Sequence, residues 1–140
     1  MKIKSFLAIS LCLLALAGSL KAQTEFDTFW ATFKSAVIKG DKATVASLTR
    51  FPLVVSIDEG KPAIKKIIIK SIATFRQRYR DIFGKHQVAN CFADKELYQD
   101  PSKQSGQLQC YDGTYSSLYQ FKLTKIGWKL VAADFGEVGD

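Results

Sequence analysis

The chain has 140 residues, 47% of them apolar, with 20 Lys and Arg against 13 Asp and Glu, a formal charge of +7. That length fits one domain of ordinary size with a core of its own and leaves no room for a second. The charge is not spread evenly, and part of it belongs to the first segment.

Lys2 and Lys4 precede an apolar run over residues 6–17 that only Ser10 and Cys12 interrupt, and Gly18, Ser19, Leu20, Lys21 and Ala22 follow. This is the pattern of a signal peptide over 1–22, cut before Gln23. The run of about 12 residues falls short of the roughly 20 that a membrane-crossing helix needs. Cys12 lies inside the run and not at the cut, so no lipid anchor and no stable membrane anchor are expected. Lys2, Lys4 and Lys21 leave with the leader, so 17 Lys and Arg then face 13 acidic residues and the remaining charge is +4. The domain over 23–140 is mildly basic and is expected to work outside the cytoplasm, periplasmic or secreted.

Two cysteines remain, Cys91 and Cys110. In an oxidising compartment an even pair favours a disulfide. Two buried free thiols are the alternative. A metal site has little support, because His86 is the only histidine and no Cys-x-x-Cys occurs.

Over 25–39 the residues Phe26, Phe29, Trp30, Phe33, Val37 and Ile38 recur at helical spacing, with Thr24 as N-cap and Gly40 as stop. Asp41 caps a second helix through Thr49, ended by Pro52. Residues 53–57 read as a strand, and 58–62 as a turn into a returning strand over 64–69. Ser71 caps a third helix that keeps Ile72, Phe75, Tyr79, Ile82 and Phe83 on one face and closes at Gly84. Strands follow over 87–92 and 107–111, joined by a polar connection. Asp112 and Gly113 turn the chain into a strand over 114–124, and Ile126 and Gly127 turn it into another over 128–135.

The expected class is α+β, in the order ααββαββββ, with helices packed on a curved antiparallel sheet. That order resembles the nuclear-transport-factor-two-like superfamily, also called cystatin-like or SnoaL-like, whose sheet and helices form a cone. Phe29-Trp30-Ala31-Thr32-Phe33, Gly40-Asp41-Lys42, Arg50-Phe51-Pro52-Leu53 and Gly127-Trp128-Lys129-Leu130 carry the likeness. The resemblance spans essentially all of 23–140. It implies a fold that hosts isomerases, dehydratases and binding domains alike, and a sheet face that in similar folds forms a homodimer.

No nucleophile elbow, phosphate loop or zinc motif is present, and no cofactor is implied. Strand alternation through an Ile126-Gly127 turn puts Tyr119, Phe121, Leu123, Leu130, Ala132 and Asp134 on the core face. Asp134 and Tyr119 then face each other as a candidate catalytic pair, with Tyr115, Ser117 and Phe121 as candidate ligand contacts. The plainer reading gives Asp134 a structural place at the strand end. His86, at a helix-to-strand junction, is a weak candidate general base.

Residues 61–85 hold eight basic residues and one acid, Asp81. Lys65, Lys66, Lys70, Arg76, Arg78 and Arg80 there form a basic surface suited to an acidic partner, or a solvated face whose lysines guard a strand edge. Nucleic acid is an unsuitable partner, since the nearby aromatics Phe75 and Tyr79 lie on the core face and not among the arginines. The expectation is an exported domain that binds a small ligand or a protein. An isomerase- or dehydratase-type enzyme using Asp and Tyr is the alternative, and a secreted inhibitor or immunity-type protein is a third.

Overall fold

The aromatic stripe of the first helix sets the fold. In the computed structural model, which describes residues 4–84 and 88–137 and the side chains from residue 20 onward except Pro101, this helix is α1, Lys4–Lys39. Phe26, Phe29, Phe33, Ala36 and Val37 are buried, a spacing that keeps one face of a helix apolar. Thr24 does not cap it in the intact chain. The helix runs straight through, and the Thr24 hydroxyl donates to the Leu20 carbonyl at 2.9 Å. Gly40 ends it as expected, at φ +68, with the Gly40 and Asp41 N–H groups returning to Val37 and Ala36.

Asp41 caps α2, Lys42–Ser47, by accepting from the Thr44 N–H at 3.1 Å. This helix is shorter than expected, because β1 already begins at Thr49 and runs to Asp58. Pro52 therefore lies within a strand and does not terminate a helix. It sits where the register of β1 with its parallel neighbour breaks, between Thr49 and Val54, a place suited to a residue without an N–H to donate.

The remaining elements are β2, Lys65–Ile69; α3, Ile72–Phe83; α4, Val88–Asp94; β3, Tyr98–Asp100; a 3-10 turn, Pro101–Lys103; β4, Ser105–Tyr111; β5, Tyr115–Thr124; and β6, Gly127–Glu137. Ser71 caps α3 by accepting from the Thr74 N–H at 3.2 Å, and Gly84 closes it. The sheet order is β2-β1-β6-β5-β4-β3. Every described pairing is antiparallel except β1 with β6, so the sheet is mixed where an all-antiparallel one was expected.

The expected strand over 87–92 is instead the helix α4, and the third strand of the sheet comes from the connection thought to be irregular. Val88, Cys91 and Phe92 stand at i, i+3 and i+4, and as a helix they turn Phe92 onto Phe33, Phe83 and Tyr119. Gln87 and His86 lie outside the described residues. Among the described residues no helix is long and apolar enough to cross a membrane.

Cys91 of α4 and Cys110 of β4 form a disulfide, with Cα atoms 5.7 Å apart and a sequence separation of 19. It ties a seven-residue helix, too short to persist alone, to the sheet. Closing a loop of that size contributes about 3 kcal/mol in the chain-entropy account. The double substitution Cys91→Ala/Cys110→Ala is expected to lower urea-unfolding stability by about that amount, measured on the oxidised parent and the variant side by side.

Candidate functional site

The cone is filled at one end and open at the other. At the filled end Phe121 lies against Phe29, Trp30 and Phe33, and Tyr119 stacks on Phe83 at 5.4 Å and 10°. Where β1, β2 and α3 diverge from the ends of β5 and β6, a cleft of about 630 Å³ remains. Its floor is apolar, built by Val55, Ile57, Ile67, Ile69, Ile82 and Phe135. The floor follows from alternation: Val55 and Ile57 of β1 stand opposite Ile67 and Lys65 of β2, so Lys65 continues the row that Ile69 and Ile67 begin.

The rim is charged, and most of its charges are matched. Lys61 pairs with Glu59 at 2.7 Å, holding the Glu59 carboxyl below its ordinary range and the Lys61 ammonium above its own. Arg78 lies 3.8 Å from Asp81. The Tyr115 hydroxyl donates to Glu137 at 3.1 Å, and the adjacent carboxylate pushes the Tyr115 phenol up. Lys65 has no carboxylate within ion-pair distance among the described residues. It is a cation at the lip of an apolar cleft.

The expected pair of Asp134 and Tyr119 is not brought together. The tight turn after β5 uses Lys125 and Ile126, with Thr124 opposite Gly127, in place of Ile126 and Gly127. That moves each partner by two residues and leaves the faces as expected: Trp128 and Leu130 point into the core. A bulge follows. Phe121 pairs with Leu130 but Gln120 pairs with Ala132, so Val131 is an extra residue and the alternation inverts beyond it. Ala133 now stands opposite Tyr119, and Asp134 faces the other side of the sheet, where it accepts from Gln120 Nε2 at 2.7 Å.

Tyr119 has a structural partner. Its buried hydroxyl donates to the Ile82 carbonyl at 2.6 Å, one of the last carbonyls of α3, which have no partner within the helix. Burial pushes the Tyr119 phenol well above its ordinary range, and the nearby Ser117 hydroxyl opposes part of that shift. Of the three expected ligand contacts, Tyr115 lines the cleft, while Ser117 and Phe121 are buried in the core. The six basic residues do not form one face. Lys65 and Arg78 line the cleft, Lys66 alternates to the opposite face of the sheet, Lys70 is exposed just past the end of β2, and Arg76 and Arg80 stand exposed on α3. His86 lies outside the described residues. Glu137, Asp81 and Ile67 are cleft residues that the sequence reading did not single out. Alternation back from Ile69 was the available signal for Ile67 and Lys65.

Among the described residues no group of three His, Cys, Asp or Glu could hold a metal ion. The sequence matches no protein-family model and no curated protein. Similar solved structures include a protein of unknown function with cystatin-like fold from Methylobium petroleophilum PM1, at 8% identity and TM-score 0.52 over 84% of this chain and 78% of that one. A DUF4783 family protein from Bacteroides ovatus ATCC 8483 aligns at 9% identity and TM-score 0.50 over 79% and 96% of the two chains. A putative dehydratase from the NTF2-like family of Streptomyces avermitilis aligns at 17% identity and TM-score 0.45 over 84% and 96%. The likeness is one of fold: this chain is an α+β protein with the cystatin-like, NTF2-like cone.

The different positions of the two expected catalytic residues predict different consequences. Tyr119→Phe leaves the Ile82 carbonyl buried without its donor and is expected to cost about 1–2 kcal/mol, whereas Asp134→Asn on the outer face is expected to change stability by no more than about 0.5 kcal/mol, both read from denaturant titrations.

Tyr79 supplies a pH signature. Its buried hydroxyl has no hydrogen-bond partner among the described residues, and burial, aided by Asp41, raises it from 10.0 to about 12. The folded state keeps the neutral phenol, so this contribution to stability is complete below pH 10.0 and is lost as pH climbs through about 12. Tyr79→Phe is expected to flatten the alkaline limb of the stability profile in that window while leaving neutral-pH stability unchanged or raised.

Proposed function

We propose that the protein is exported, cut before Gln23, and serves as a binding domain that holds a small molecule with an apolar body and an acidic group in the open end of the cone. The observation that carries the reading is Lys65: a cation in line with an apolar floor of Ile67 and Ile69, acting on Glu59 across the mouth but with no carboxylate at ion-pair distance among the described residues. An apolar ligand body would gain about 25 cal/mol for each Å² it hides from water on that floor, and an acidic group would be oriented by the ammonium. The disulfide is compatible with an oxidising compartment. The division of the basic residues between two sides of the sheet favours the cleft over a broad acidic protein surface.

A proton-transfer enzyme is the second reading, favoured by one contact, the Tyr115 hydroxyl on Glu137 at the cleft mouth. If turnover is found for any cleft ligand, Glu137→Gln should abolish it and leave binding in place.

Lys65 and Lys66 are neighbours with the same charge on opposite faces, and this makes a matched test. Anilinonaphthalene sulfonate, an apolar anion, serves as the probe, followed by fluorescence at low salt. Lys65→Glu is expected to weaken binding by about 1 kcal/mol, roughly five-fold, and Lys66→Glu to leave it nearly unchanged. Equal effects from the two substitutions would mean that net charge alone draws the probe, and the cleft reading would be abandoned.

A further inference from the structure

We infer that Gln23, once it becomes the first residue, closes on itself to a pyroglutamyl lactam, so that the finished protein begins with a neutral, blocked terminus. The inference rests on the proposed cut before Gln23 and adds the chemistry that follows it.

In the intact chain α1 passes through this point without a break, and the local side chains serve that continuity. The Thr24 hydroxyl donates to the Leu20 carbonyl, and Gln23 Nε2 donates to Asp27 Oδ1 at 3.0 Å and to Gln99 Oε1 at 3.2 Å. Leu20 is 70% exposed, and the first buried side chain after the cut is Phe26 at 4%. Removing residues 1–22 therefore takes away the Leu20 acceptor and disturbs no described core contact.

What is left has the composition of a helix start. Thr24-x-x-Asp27 is a capping-box spacing: the freed Thr24 hydroxyl can accept from the Asp27 N–H while the Asp27 carboxylate accepts from the Thr24 N–H. Glu25 and Asp27 then stand in the first turn, where the helix dipole favours negative charge. Re-capping at Thr24 puts Gln23 outside the helix, with its backbone no longer held by helical bonds. It also gives the Asp27 carboxylate a new donor in place of the Gln23 amide.

The free α-amine of Gln23 is then a nucleophile, five ring atoms from its own side-chain amide. Its neutral form is well populated near neutral pH, since α-amines titrate at about 7.7–8.0. The amine nitrogen bonds to Cδ, the Cδ–Nε2 bond breaks, and the proton leaving the amine goes to the departing nitrogen, which is released as ammonia. No oxidant, reductant or co-reactant is involved. The product removes a positive charge from the end of the helix where the dipole opposes it.

The test is the terminus of the protein purified from the exported fraction of cells making the full chain, read by tandem mass spectrometry. The expected N-terminal peptide begins at residue 23, is lighter by one ammonia than the unmodified sequence, resists stepwise amine-directed degradation, and is unblocked by pyroglutamyl aminopeptidase. The exported variant Gln23→Glu, which lacks the amide leaving group, should retain its free amine. A peptide that begins at Gln23 and keeps its amine after prolonged incubation overturns the inference and leaves the cut standing. A chain that retains residues 1–22, or starts elsewhere, overturns both.

Discussion

Packing of aromatic rings between the helices and the sheet governs the rest of this structure. Phe33, Phe83, Phe92, Tyr119 and Phe121 come from α1, α3, α4 and β5, and neighbouring rings lie between 5.1 and 6.2 Å apart. Rings this large leave little freedom in how the elements meet, because edge-to-face and stacked contacts each need a particular approach. The cluster fills the end of the cone where α1 crosses the sheet. Five of the six floor residues at the other end are aliphatic, Phe135 being the exception, and the space they leave is the cleft.

The cluster also explains two departures from expectation. Phe92 packs into it from α4, a helix where a strand was expected, and the disulfide to β4 holds that short helix in place. Tyr119 belongs to it as well, with its ring stacked on Phe83 and its hydroxyl on the end of α3. A side chain used in this way is a support. Tyr115 lies on the same row of β5 as Tyr119 but at the mouth, where it lines the cleft with its hydroxyl on Glu137.

The sequence carried the helix boundaries at Gly40, Ser71 and Gly84 because a left-handed glycine, a hydroxyl cap and a glycine packed against the Arg80 carbonyl all act within four residues, and local chemistry decides them. It carried the disulfide because the expected loss of the leader, with Cys12, leaves Cys91 and Cys110 a single intramolecular pairing. The inward face of the last hairpin was legible as far as Leu130, where alternation runs unbroken. Beyond it the extra residue Val131 inverts the faces, and no turn residue, proline or glycine at that point signals a bulge. Asp134 was misplaced for that reason alone. The parallel pairing of β1 with β6 was hidden in another way, because it joins segments far apart in the chain and depends on which strand edge is free once the other strands have paired.

That parallel pairing is what makes a cleft possible. Leu130 donates to the Leu48 carbonyl, and Thr49 Oγ1 donates to Val45, so the end of α2 and the start of β1 are fixed to the middle of β6. The register then breaks over residues 50–53 and resumes with Val54 beside Ala132. From there the two strands run in the same direction, Ile57 reaching Phe135 and Asp58 reaching Gly136. An antiparallel β1 would have carried its far end back toward the aromatic cluster. Because the strands run together, the hairpin bearing Lys65 arrives beside the end of β6 bearing Glu137. The opposed charges of the mouth are thus placed by strand direction, on elements whose own positions are set at the filled end of the cone.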